Sequence, residues 1–456
     1  LNLNLNLNLN LNLNLNLNLN LDLNLNLNLN LNLNLMSAPY IILIVLVGVS
    51  LLLMMVLKFK LNAFIALLIT SIVVGVMAGM PLQKISESIQ EGMGSTLGFV
   101  ATVVGLGAIF GQMLESSGGA KSLANYLLRK FGTNKATWAL TLTGFIVGIP
   151  IFLDVGFIIL IPIVYALTRD TKRSVLYYAI PLLAGLAVTH TMVPPTPGPT
   201  AVGEILGVDL GWVVLMGLIV GLPTAIIAGP VFGKFIAKKI NIPAPHVFQE
   251  TEENGEKPAD LPSFGTIAAL ILTPLSLILM STFVKLGVDK GALSKSVLTE
   301  ILTFIGHPFT ALIIATLLSI LLCLKRNMPG QKILDLSTKA LGPAGIIILV
   351  TGAGGVLKQI LVDSGIGKML AESLADSSIP LIVLAWVIAA LVRITQGSAT
   401  VAMITSAGII SPLLSTFTLS QPDTAIIVIA IAAGATIMSH VNDSGFWIVS
   451  KYLGMN

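Results

Sequence analysis

Apolar runs of about 20 residues, the length that crosses a bilayer as a helix, recur along almost the whole chain. The runs at 40–57, 62–80, 96–115, 176–193, 210–237, 264–284, 306–324, 341–361 and 423–440 each predict one spanning helix. Two further runs, 136–168 and 379–418, are too long for one crossing and are interrupted. Gly148, Pro150 and Gly156 break the first, and the second breaks around "RITQGSAT" (393–400). Each predicts a helical hairpin, re-entrant or twice-spanning, because broken backbone at membrane depth survives only where it lines a protein cavity.

The first 35 residues follow another pattern. Strict Leu/Asn alternation, interrupted only by Asp22, has a strand period and would favour cross-β stacking. It reads as low-complexity sequence ahead of a natural start at Met36 and is set apart from the fold. The remainder divides into a first half (36–237), a polar, proline-bearing cytoplasmic linker (238–262) and a second half (263–456).

The halves repeat. "GLGAIFGQMLESSGGAKSLA" (105–124) aligns without gaps to "GAGGVLKQILVDSGIGKMLA" (352–371). Gln112 and Gln359, Ser117 and Ser364, and Lys121 and Lys368 are each 247 positions apart (359−112). Each segment precedes a broken hairpin and another span, and the two cross in opposite directions if the spans alternate. That is the plan of an inverted-topology repeat.

Composition fixes the solvent. The 456 residues are 55% hydrophobic and 10% charged, with a mean hydropathy of +0.93. A soluble domain carries about 25% charged residues, so this is an all-α polytopic membrane protein with the lipid bilayer as its surroundings. The net charge of +4 comes mostly from short loops and marks topology rather than nucleic-acid binding. Lys58 and Lys60 assign the end of the first span to the cytoplasm, together with 116–135, 169–173, 238–262 and 325–339. Only 285–300, with Lys285, Lys290 and Lys295, opposes the rule from outside. The lone Cys323 permits no disulfide within the chain and no cysteine-based zinc site. No cofactor or metal is expected, and a homo-oligomer is left open.

Charge inside apolar runs locates the candidate chemistry. Asp154 lies at the first hairpin break and Arg393 at the second. An arginine stays charged and grips a carboxylate, while an aspartate in a low-dielectric cavity can load and release a proton. In "THTMVPPTPGP" (189–199) the prolines cannot continue a helix, and Thr189, His190 and Thr191 stand beside the forced turn. At the matching place in the second half, "SHVNDSGFW" (439–447) crowds Asn442 and Asp443 at the end of a span. Lys358, with Gln359 beside it, is the remaining intramembrane charge. The expected substrate-binding set is thus Arg393, Lys358, Gln359, Thr189, Thr191, Ser398 and Asn442, and the expected proton-coupling set is Asp154, His190 and Asp443. A structural ion pair at the breaks, snorkelling of Lys358 and ordinary helix capping at 439–447 are the plainer alternatives. Glycines 105, 107, 111, 352, 354 and 355 suit close helix packing rather than nucleotide binding.

"GIPIFLDVGF" (148–157), "HTMVPPTPGP" (190–199), "GAGGVLKQILVDSGIG" (352–367), "RITQGSATVAM" (393–403) and "SHVNDSGFW" (439–447) together resemble the gluconate permease family, the gluconate:proton symporters. The likeness runs from Met36 to the end, in order. It implies proton-coupled uptake of gluconate or a related sugar acid (idonate, fructuronate, D-glycerate or D-serine) across a bacterial inner membrane. It also implies the paired hairpins of the wider ion-transporter group and one more spanning helix after "KYLGMN". The Leu/Asn leader has no counterpart in the family. A sodium-coupled carboxylate transporter of the same architecture remains open. A channel or a membrane-embedded enzyme is the more distant alternative, since no G-x-S-x-G or H-E-x-x-H motif is present.

Overall fold

The computed structural model describes residues 38–245, 261–366, 369, 380–414, 417–440 and 443–455. The leader, the middle of the linker, Lys368 and Asn442 lie outside the described residues. All regular elements among the described residues are helical. In the first half these are α1 (Ala38–Leu57), α2 (Ala63–Met77), α3 (Leu82–Ser116), α4 (Gly119–Phe131), α5 (Ala136–Val147), α6 (Leu153–Thr171), α7 (Leu176–Met192), α8 (Pro197–Leu206) and α9 (Leu210–Ile226). A π turn (Ile227–Val231) carries α9 into α10 (Phe232–Lys239). The second half holds α11 (Phe264–Asp289), α12 (Val297–Ile305), α13 (Pro308–Lys325), α14 (Gly330–Asp363), α15 (Leu381–Gln396), α16 (Ala399–Leu414), α17 (Gln421–Gly434) and α18 (Ser444–Leu453). Six helical stretches among the described residues are long and apolar enough to cross a membrane.

Several predicted spans change their bounds. The run at 96–115 is the apolar end of α3, and that at 341–361 the apolar end of α14, because the polar stretches before them continue the helix. Pro194 and Pro195 do interrupt a helix, but Pro197 then opens α8, where its missing N–H is harmless. The span expected at 423–440 stops at Gly434, and the chain turns helical again at Ser444. Both halves therefore contain a crossing broken in its middle.

The first hairpin break falls at 148–152, as Gly148 and Pro150 predict. Gly156 does not break the helix: it is buried inside α6, leaving room for the Leu186 side chain. Around this break the chain reverses. Gly144 packs on Leu182 and Gly185, and Thr189 Oγ1 donates to Phe145 O at 2.9 Å, so α5 runs in the same sense as α7. Gly156 meets Leu186 while Tyr178 Oη donates to Thr171 Oγ1 at 3.0 Å, so α6 runs against α7. The second hairpin turns at Gly397, whose φ of 79° is left-handed and whose N–H donates to Arg393 O to close α15.

α3 and α14, which carry the matched repeat segments, pack antiparallel along their lengths. Asp363 accepts from Ser88 Oγ at 2.6 Å and pairs with Lys84 at 3.7 Å, Gly92 lies against Gly355, and Gly105 faces Leu341. Glycine at these contacts lets the two backbones approach, as membrane interfaces require. On its other side α3 meets the breaks: Gly107 faces Pro195, and Gly111 faces the Pro150 carbonyl. Shifted by the same 247 positions (359−112), α8 coincides with α18.

A Cβ at Gly111 would overlap the Pro150 oxygen, whereas one at Gly94 of the same helix meets nothing within 4 Å. Gly111→Ala should cost about 1–3 kcal/mol and lower the melting temperature in detergent. Gly94→Ala, in open space within the same helix, should not lower it and should raise it slightly.

Candidate functional site

The helix breaks converge on a cavity of about 630 Å³. The start of α6 contributes Asp154, the end of α7 His190 and Thr191, the α15–α16 break Arg393, Gln396 and Ser398, and the α17–α18 break Ser439 and Asp443. Helix ends explain the arrangement of charge. Asp154 sits in the first turn of α6 and Asp443 caps α18, both at positive helix N-termini, while Arg393 sits in the last turn of α15 at a negative C-terminus.

Arg393 is 5% exposed. Its Nη2 donates to Asp443 Oδ2, forming an ion pair in which the arginine is buried and the aspartate half-buried. Ser439 Oγ donates to the same oxygen, and Gly445 N donates to Asp443 Oδ1 at 3.0 Å. Among the described residues, Nε and Nη1 of Arg393 are buried without a partner, as are Nδ1 of His190 and both amide atoms of Gln396. Buried polar atoms almost always have partners, so this many orphans around one cavity mark a place for a polar ligand or water. Asp154 forms no hydrogen bond or ion pair within 4 Å among the described residues. Gly445 separates the two carboxylates: a Cβ there would lie 3.5 Å from Asp443 Oδ1 and 3.7 Å from Asp154 Oδ1.

The other residues singled out from sequence divide. Thr191 lines the cavity with its proton donated to Ala187 O at 2.9 Å, and Ser398 lines it with Oγ accepting from Val401 N at 3.4 Å. Thr189 is fully buried, and its hydroxyl ties α7 to Phe145 of α5. Lys358 lines a second cavity of about 470 Å³ by Leu206, Gly207 and the α16–α17 turn. There it interacts electrostatically with Glu204 of α8. Gln359 donates to Asp363 Oδ1 at 3.0 Å on the α3–α14 seam. The two cavities lie toward opposite ends of the α7–α8 crossing, since the main one extends to Ser450 and Met455, beside the Tyr165–Tyr452 contact.

Sequence reading passed over Gln396 and Glu204. Gln396 carries no charge, yet it lies three positions after Arg393 and so shares its helix face. Glu204 follows the prolines that read as the end of a span, so no apolar run in the sequence encloses its charge. Among the described residues no cluster of three or more His, Cys, Asp or Glu side chains could hold a metal ion.

The profile of the GntP family permeases matches residues 40–456. The chain belongs to this permease family. It is 40% identical over 401 residues to the gluconate permease of Pseudomonas aeruginosa, covering 88% of each chain. Over 399 residues it is 40% identical to the low-affinity gluconate transporter of Escherichia coli, covering 87% of this chain and 88% of that one. It is also 36% identical over 403 residues to the Gnt-II system L-idonate transporter of Escherichia coli, covering 87% and 88%. The fold is similar to that of the Alcanivorax borkumensis YdaH transporter, with a TM-score of 0.56 at 15% identity over 85% of this chain and 90% of that one. The permease is a multi-pass protein of a bacterial inner membrane and not an enzyme.

Breaking one partner of the buried pair strands the other. Asp443→Leu should therefore cost about 3–5 kcal/mol of stability, whereas the double variant Arg393→Met/Asp443→Leu should recover most of that loss. Melting temperatures of the purified permease in detergent read both.

Proposed function

We propose that the chain is a secondary active symporter that carries gluconate or a related sugar acid into the cell with protons as the coupling ion. One observation carries this reading. Among the described residues, Arg393 gives a single nitrogen to Asp443 and keeps Nε and Nη1 unpartnered, while Asp154 stands on the same cavity with no cation against it. An arginine with free donors receives a substrate carboxylate, and a carboxylate with no fixed counter-ion is free to exchange a proton. Relatives named for gluconate and L-idonate support a sugar acid as substrate.

In this mechanism the substrate carboxylate docks on Arg393, beside the Asp443 that keeps the guanidinium in place. Its hydroxyls meet Thr191, Ser398 and the neighbouring polar groups of the α15–α16 break. Asp154 is protonated when loaded, which removes a negative charge facing the substrate, and releases its proton on the other side. The antiparallel packing of α3 on α14 supports an inverted-topology repeat, the architecture in which one half rocks against the other around a midplane site. Lys358 and Gln359 have no part in this site, and His190 and Asp443 shape it.

Labelled gluconate should accumulate in vesicles under an inward pH gradient and not under a sodium gradient at fixed pH. Accumulation that follows sodium alone would overturn proton coupling. Asp154→Asn should abolish accumulation against a gradient while leaving gluconate exchange, which moves no net proton, largely in place. If the folded variant still concentrates gluconate, Asp154 is not the coupling residue.

A further inference from the structure

Gln396 ends α15, and its side chain leaves the same helix face as Arg393, with Cβ atoms roughly 5–6 Å apart at this spacing. Both residues line the main cavity. The amide nitrogen and the amide oxygen of Gln396 are each buried, and neither has a hydrogen-bond partner among the described residues. Helix capping does not explain the residue, because the Gly397 N–H already closes the helix on Arg393 O at 2.9 Å. An amide presents donors at one atom and an acceptor at the other, so one ligand group that only accepts or only donates cannot satisfy it.

We propose that Gln396 is a specificity-determining residue that reads a vicinal diol next to the carboxylate held by Arg393. One hydroxyl donates to Oε1 and its neighbour accepts from Nε2. The short reach from Arg393 sets the diol at the second and third carbons of the acid. The permease thereby selects acids hydroxylated at both carbons over their deoxy counterparts. This inference rests on the gluconate reading above and names the feature of the substrate that the site recognises. The physical basis is asymmetry: a buried amide left unpaired by a deoxy acid penalises that acid, whereas an apolar pocket discriminates weakly. The neighbouring hydroxyls are less suited to the task, since Thr191 has already given its proton to Ala187 O and Ser398 is exposed.

The test is equilibrium binding to the purified full chain in detergent, with gluconate, 2-deoxygluconate and 3-deoxygluconate as ligands. The wild type should bind each deoxy acid about tenfold or more weaker than gluconate. Gln396→Met, nearly equal in volume but without the amide, should weaken gluconate by a similar factor and bind all three acids alike. Its unliganded melting temperature reports whether it is folded. Equal binding of the three acids by the wild type overturns the proposal without reference to any variant. Undiminished discrimination by folded Gln396→Met overturns it as well. Wild-type protein that binds none of the three refutes instead the gluconate reading on which the proposal rests.

Discussion

The Arg393–Asp443 pair is the constraint around which the site is organised. An arginine that is 5% exposed in an apolar helix of a membrane protein must be paired, and its partner caps the helix that resumes after the break in the second broken crossing. The bond therefore joins the C-terminus of α15 to the N-terminus of α18, and the dipoles of both helices favour the charges they carry. Breaks in the helices are what make this possible. A continuous span keeps its backbone polar groups to itself, whereas an interrupted one exposes helix ends at membrane depth, where they must face a cavity. Asp154 at the start of α6 uses the same device without a cation of its own.

Close backbone approach holds the breaks in register. Gly107 and Gly111 of α3 accept the Pro195 and Pro150 turns, and Gly92 and Gly355 let α3 and α14 meet directly. The polar network Lys84–Asp363–Ser88–Gln359 closes one end of that seam. Gln359 thus serves the packing of the two halves, although the repeat alignment had drawn attention to it for another reason.

Much of this was legible in sequence, for definite reasons. Gly148, Pro150 and the "RITQGSAT" stretch break apolar runs by backbone chemistry that tertiary packing cannot override, so the hairpin breaks and the charges at them could be read directly. The restart of helices α8 and α18 could not: a proline cluster and a polar cluster both look like a chain entering water, and only the burial of α8 and the contact of Tyr452 in α18 with Phe157 and Tyr165 make a second half-helix worthwhile. Charge and depth brought Lys358 into the expected binding set, and its place on α14 puts it at a second cavity, where it interacts with Glu204. Gln396 was silent because an uncharged amide next to a glycine looks like a helix end, and its unpaired atoms exist only in three dimensions.

In the proposed mechanism the cavity between the helix breaks, rather than the one beside Lys358, receives the sugar acid. A structure of the permease with gluconate bound tests it most directly. The carboxylate should lie within hydrogen-bonding distance of Arg393 and the hydroxyls at Gln396, with the Arg393–Asp443 pair retained. Gluconate seated against Lys358 and Glu204, with the main cavity empty, would contradict it.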